Sequence, residues 1–179
     1  MERMGWNVLR MMGKAVVIVS KTISWSSFIN YSDQDWIKKA LRLAEKAFSL
    51  GEVPVGAIVV KDNRIVGQGY NQREGLNDPT AHAEIIAITA AASTIGDWRL
   101  NDCTIYVTKE PCPMCAGAII NSRVSKLIFG SYDDKKGCCG SLYQLCGDKR
   151  LESITAVKGG VMHEQCSAIL KEFFRLKRN

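Results

Sequence analysis

The sequence predicts an α/β fold with three layers, a mixed sheet lying between helices. Two observations predict it. Runs of β-branched and aromatic residues alternate with apolar patterns at helical spacing, and their order is helix, hairpin, helix, strand, helix, strand, strand, helix. Such alternation implies a sheet covered on both faces, with mixed rather than all-antiparallel pairing.

Each element has its own signal. Ser32-Asp33-Gln34-Asp35 opens the first helix, with Ser32 as cap and acids suited to the positive helix end. Ile37, Ala40, Leu41, Ala44, Ala47 and Phe48 then recur at helical spacing, and Gly51 closes the helix in a left-handed cap. Val53–Val60 and Ile65–Tyr70 flank a turn at 61–64 and read as a hairpin. Asn77-Asp78-Pro79-Thr80 breaks the chain, and an alanine-rich helix follows from Ala81 to Thr94. Thr104–Thr108 is a short buried strand, and Pro111 opens a helix to Asn121. Ser125–Phe129 and Ile154–Val157 are strands, Lys136–Gly140 is a loop, and Glu164–Arg175 is the last helix.

These elements place one domain at 32–179, an ordinary size for 179 residues. Hydrophobic residues make up 46% and charged residues 23%, which excludes a disordered chain. No apolar run approaches the ~20 residues needed to cross a bilayer, so no membrane partner is expected. Residues 1–31 are expected to be a poorly ordered leader. Ala15–Val19 imitates a signal peptide, but Ser20-Lys21 interrupts the run. Seven cysteines cannot all join a closed disulfide framework, so a reducing, cytoplasmic setting is expected.

The net charge of +6 sits at the two ends. Residues 1–31 carry +3, residues 168–179 carry +3, and the body between is neutral. Basic ends suit a polyanion such as nucleic acid or a membrane surface, or simply a solvated terminus.

The chemistry concentrates in His82-Ala83-Glu84 and in Pro111-Cys112-Pro113-Met114-Cys115, each at a helix start. A Cys-x-x-Cys pair alone could bind metal, act as a redox pair or be two core thiols. Joined to His82, it offers three ligands for Zn²⁺ and leaves one tetrahedral position open, as catalytic sites do. Helix starts favour thiolates. Glu84 is a candidate to meet water at that position. On a regular helix, however, two residues span about 200° of arc, so His82 and Glu84 could not point the same way. His163 and Cys166 read as a solvated helix start, and Cys138 and Cys139 as small-residue packing in a loop. Cys103, Cys146 and Cys166 read as ordinary buried or partly buried thiols.

His-Ala-Glu followed by Pro-Cys-x-x-Cys resembles the zinc-dependent nucleobase and nucleoside deaminases, the family in which this signature is defined. Further stretches resemble the bacterial tRNA-specific adenosine deaminases: Glu52–Ala57, Asp78–Ile85, Tyr106–Cys112, Cys115–Ile119, Gly140-Ser141-Leu142 and Glu172–Arg175. The resemblance covers about 32–179. It implies a cytidine deaminase-like fold with a five-stranded mixed sheet, and a homodimer. It implies hydrolytic conversion of adenosine to inosine at the wobble position of a tRNA anticodon stem-loop. One Zn²⁺ per subunit would be held by His82, Cys112 and Cys115, with Glu84 as proton shuttle. Asn71, Ala83, Phe173, Phe174 and Arg175 would meet the substrate, with at least one of the two Phe residues packed inside. A guanine or other small-molecule deaminase shares the zinc motif and is the alternative. A non-catalytic zinc-stabilised RNA-binding module is a further one, though such sites are usually closed by four protein ligands.

Overall fold

A computed structural model of the chain describes residues 11–12, 15–16, 31–153 and 155–178. The chain divides into two units, Met1–Asn30 and Tyr31–Asn179. In the first, β1 (Met11–Met12) pairs antiparallel with β2 (Ala15–Val16). The expectation of a poorly ordered leader otherwise lies outside the described residues, except at Tyr31, which belongs to the second unit.

The second unit contains one sheet and its helices. Helix α1 (Asp33–Ser49) starts with a reciprocal capping box, in which the Ser32 side chain accepts from the Asp35 N–H and Asp35 accepts from the Ser32 N–H. It ends before Gly51, whose φ is 76°. Strands β3 (Gly56–Lys61) and β4 (Arg64–Tyr70) form the expected hairpin. The turn residues Asp62 and Asn63 have φ of 48° and 58°, the left-handed pair that a tight hairpin needs. The expected strand start at Val53 moves to Gly56. Val55 N–H bonds back to the Val53 carbonyl, and Pro54 has no N–H to give a ladder.

A short helix α2 (Arg73–Leu76), absent from the sequence expectation, precedes α3 (Ala83–Ile95). Then follow β5 (Thr104–Lys109), α4 (Pro113–Asn121), β6 (Lys126–Ser131), a single 3-10 turn at Lys149–Leu151, β7 (Ala156–Lys158) and α5 (His163–Lys177). Helix α4 opens at Pro113 rather than Pro111, with proline at the first helical position where its missing N–H costs nothing.

The strand order is β4-β3-β5-β6-β7. β3 is antiparallel to both neighbours, while β5, β6 and β7 are parallel. The sheet is therefore mixed and five-stranded. Ala57, Val59, Ile105, Val107, Leu127 and Phe129 bury one face with residues of α3 and α4. Ile58, Val60, Tyr106 and Ile128 bury the other with Trp36 and Ile37 of α1 and Cys166 of α5. This is the three-layer α/β/α arrangement. Among the described residues, no helix is long and apolar enough to cross a membrane.

Glycines let the helices lie directly on the hairpin. A Cβ on Gly67 would stand 2.3 Å from the Ala87 carbonyl oxygen and 2.5 Å from the Ala91 nitrogen. Backbone cannot yield as a side chain can. Gly67→Ala is expected to cost about 1–3 kcal/mol through overpacking, read as a lower denaturant midpoint at unchanged slope. An unchanged midpoint would show that α3 can lift off β4 freely.

Candidate active site

The ends of β4, β5 and β6 and the start of β3 lie at one end of the sheet, because β3 runs against β4 and β5 while β5 and β6 run together. The chemistry-bearing residues follow those ends. His82 caps α3 and Cys112 caps α4.

His82 is itself in extended backbone, with φ −77° and ψ 152°. It therefore lies outside the helical arc that would have kept it apart from Glu84. Its Nδ1 is 3.4 Å from Cys115 Sγ and 3.7 Å from Cys112 Sγ. The three ligand atoms all lie within 4.8 Å of one another. Tetrahedral zinc with ordinary Zn–S and Zn–N bonds sets nitrogen and sulfur about 3.6 Å apart. One imidazole and two thiols at this spacing fit a single zinc ion.

The protonation pattern points the same way. The Cys112 thiol is held down to about 3, first by the hydrogen bond from Cys115 and also by His82. Cys115 is pushed up, because it donates to Cys112 and is buried. His82 is raised, chiefly by its hydrogen bond with Cys112. Three groups thus share protons that a cation would displace. Glu84, only 4% exposed, sits among them, and burial raises its carboxyl pKa. Ala83 is fully buried at the first position of α3, where backbone N–H groups lack helical partners.

Asn71 follows β4 and is buried. Gln72 N–H bonds to the Ala81 carbonyl, which holds this stretch beside His82. Lys46 stands 4.5 Å from the ring centroid of neighbouring Tyr70.

The last helix divides its aromatics as expected. Phe173 is 6% exposed and packs edge-on against Phe48 at 5.7 Å, while Phe174 is 43% exposed. Arg175 pairs with Glu172 at 2.7 Å. None of the three hydrogen-bonds or ion-pairs with the His82 cluster among the described residues. All seven cysteines are free thiols. Cys103, Cys138, Cys139, Cys146 and Cys166 are buried, and His163 is exposed, as expected.

Two buried carboxylates gained no role from the sequence. Glu52 accepts from Asn71 and from the Gly75 N–H. Glu110, next to Pro111, accepts from the N–H groups of Asp133, Cys139 and Ser141 and from the Ser141 hydroxyl. It binds the 133–141 loop to the segment that carries Cys112. Both pairings are long-range, so no local spacing could reveal them. Glu52 and Glu110 stand out in the sequence only as acids beside apolar or proline-rich stretches.

Comparison with known proteins matches residues 31–178 to the MafB19-like deaminase family. The tRNA-specific adenosine deaminase of Bacillus subtilis is 44% identical over 80% of this chain and 89% of its own length. A solved structure from work on A-to-I editing by tRNA:A34 deaminases at the wobble position of transfer RNA superposes with a TM-score of 0.72. It is 36% identical and covers 75% of this chain and 98% of that one. The guanine deaminase of Bacillus subtilis superposes with a TM-score of 0.55, at 38% identity over 57% of this chain and 66% of that one. With nearly all of its α/β unit matched, the chain belongs to the deaminase family that includes the bacterial tRNA-specific adenosine deaminases.

Proposed function

We propose that the protein hydrolyses adenosine to inosine at the wobble position of a tRNA anticodon, releasing ammonia. The likeness of 80% of the chain to a tRNA-specific adenosine deaminase carries the substrate, and the buried Glu84 carboxyl set among the His82, Cys112 and Cys115 donors carries the chemistry. His82, Cys112 and Cys115 would hold one zinc ion. Zinc, when bound, supplies a Lewis acid that makes water a nucleophile near neutral pH. Glu84 takes the proton of the attacking water, then gives protons to the purine ring nitrogen and to the leaving amine. The carbon–oxygen bond at purine carbon six forms first, by addition across the ring carbon–nitrogen double bond, and the bond to the exocyclic amine breaks afterwards as ammonia leaves. Asn71 and the Ala83 N–H orient the base.

A base must be splayed out to reach this site, and an unpaired anticodon loop makes that cheap. Phe174, Arg175 and the Lys46–Tyr70 pair offer aromatic and cationic surface for RNA. Phe173 seats the helix of Phe174 and Arg175 against Phe48. The reading includes a homodimer in the cytoplasm, where tRNA is found. Leu142 and Tyr143, 50% and 64% exposed on the loop held through Ser141, support a covered face there.

The second reading is guanine deamination, which the likeness to the Bacillus subtilis guanine deaminase favours. Its shorter overlap ranks it below the tRNA enzyme, which matches 80% of the chain. Three donors beside a carboxyl disfavour a non-catalytic zinc module. One assay separates these readings: zinc-loaded protein with an anticodon stem-loop, free guanine or cytidine. Inosine and ammonia are expected from the stem-loop alone. Ammonia from guanine with an unchanged stem-loop would overturn the substrate.

A further inference from the structure

Glu52 lies in the loop between α1 and β3, 3% exposed, far in sequence from the residues it holds. Its Oε2 accepts from Asn71 Nδ2 at 2.9 Å, and its Oε1 from the Gly75 N–H at 2.7 Å. An asparagine amide has two unlike ends, and rotation by half a turn exchanges donor for acceptor. Here both carboxylate oxygens accept, so the nitrogen end of Asn71 must face Glu52. One Asn71 N–H is thereby used. The second N–H and the Oδ1 oxygen remain for whatever enters beside Ala81 and His82. Among the described residues Oδ1 has no hydrogen-bond partner, yet no sealed side-chain polar atom is left unpaired. The oxygen is therefore open to the accessible side. The backbone of Asn71 is fixed as well, its N–H bonding to the Val55 carbonyl at 3.0 Å.

We propose that Glu52 is a positioning residue for base recognition: it sets which end of the Asn71 amide the substrate meets. The proposal rests on the deaminase reading above. Glu52 does not touch the base. It removes the alternative rotamer, so the donor–acceptor pattern shown to a purine edge is single rather than mixed. Its second oxygen ties the same carboxylate to α2, which fixes the chain between Asn71 and His82.

Glu52→Gln tests this, since it keeps volume but can donate as well as accept. With the anticodon stem-loop, Glu52→Gln is expected to lower kcat/KM about tenfold, the size of one lost buried hydrogen bond. Zinc content should stay at one per subunit. In an Asn71→Ala background the same change should cost less than about twofold, because the residue it acts through is gone. Equal losses in both backgrounds would overturn the proposal and make Glu52 a structural support alone. The side-chain amide of Asn71 gives a readout that needs no activity. In the wild type, one of its two protons should be shifted downfield and slow to exchange. Both protons at ordinary side-chain amide shifts and in fast exchange with water would overturn the hold even if Glu52→Gln fails to fold. Should the wild type leave the stem-loop unchanged, the substrate reading fails, and the amide signal still decides whether Glu52 fixes Asn71.

Discussion

Glu84→Gln is expected to lower kcat on an anticodon stem-loop by roughly 10²–10⁴-fold, the range that general acid–base catalysis supplies. The substitution keeps the shape of a side chain that is 4% exposed, so no cavity forms. It removes only the ability to hold and pass a proton. In the metal-free protein, burial raises the Glu84 pKa, so its ionised form costs stability at neutral pH. Glutamine carries no such charge, so the midpoint of thermal unfolding of the chelator-treated protein should stay level or rise. Zinc content measured by elemental analysis should remain one per subunit. Turnover within threefold of wild type would remove Glu84 from the mechanism. Loss of zinc together with activity would make it a support for the metal site instead.

Cys115→Ser is expected to abolish both zinc binding and activity. Cys115 is fully buried, and its sulfur stands 3.4 Å from His82 Nδ1. Losing an outer-shell partner typically costs 10–100-fold in metal affinity, and a direct ligand should cost more. Zinc per subunit should fall below about a tenth of the wild-type value in buffered zinc, because affinity drops beyond that range. Unfolding should shift to lower temperature as the stabilisation from bound metal is lost. The metal-free wild type, prepared with chelator, should match the variant in both respects. A variant that retained full zinc would place the ion on other donors.

How far the sequence foretold the structure depends on the range of each interaction. Ser32 and Asp35 make a local cap, and Asp62-Asn63 make a local turn, so both were legible. The packing of α3 against β4 was not, because Gly67, where the helix backbone comes closest, has no side chain to mark a buried face. Helix α2 was missed because its four residues bury nothing and show no apolar pattern. His82, Glu84, Cys112 and Cys115 were legible from residue type and spacing, although the sequence raised an obstacle, the wide arc between His82 and Glu84. That obstacle vanished because His82 is extended rather than helical. Glu52 and Glu110 were silent because carboxylates pair across 19 to 31 residues, where spacing no longer constrains partners.

The hold of Glu110 on 133–141 couples two segments. Its oxygens gather three backbone N–H groups and a hydroxyl, and the next residues are Pro111 and Cys112. Cys138 N–H also bonds to the Pro111 carbonyl at 2.9 Å. The loop and the Cys112 turn are therefore tied to each other, so the backbone that carries one zinc-ligand candidate is braced by a segment 23 to 31 residues along the chain.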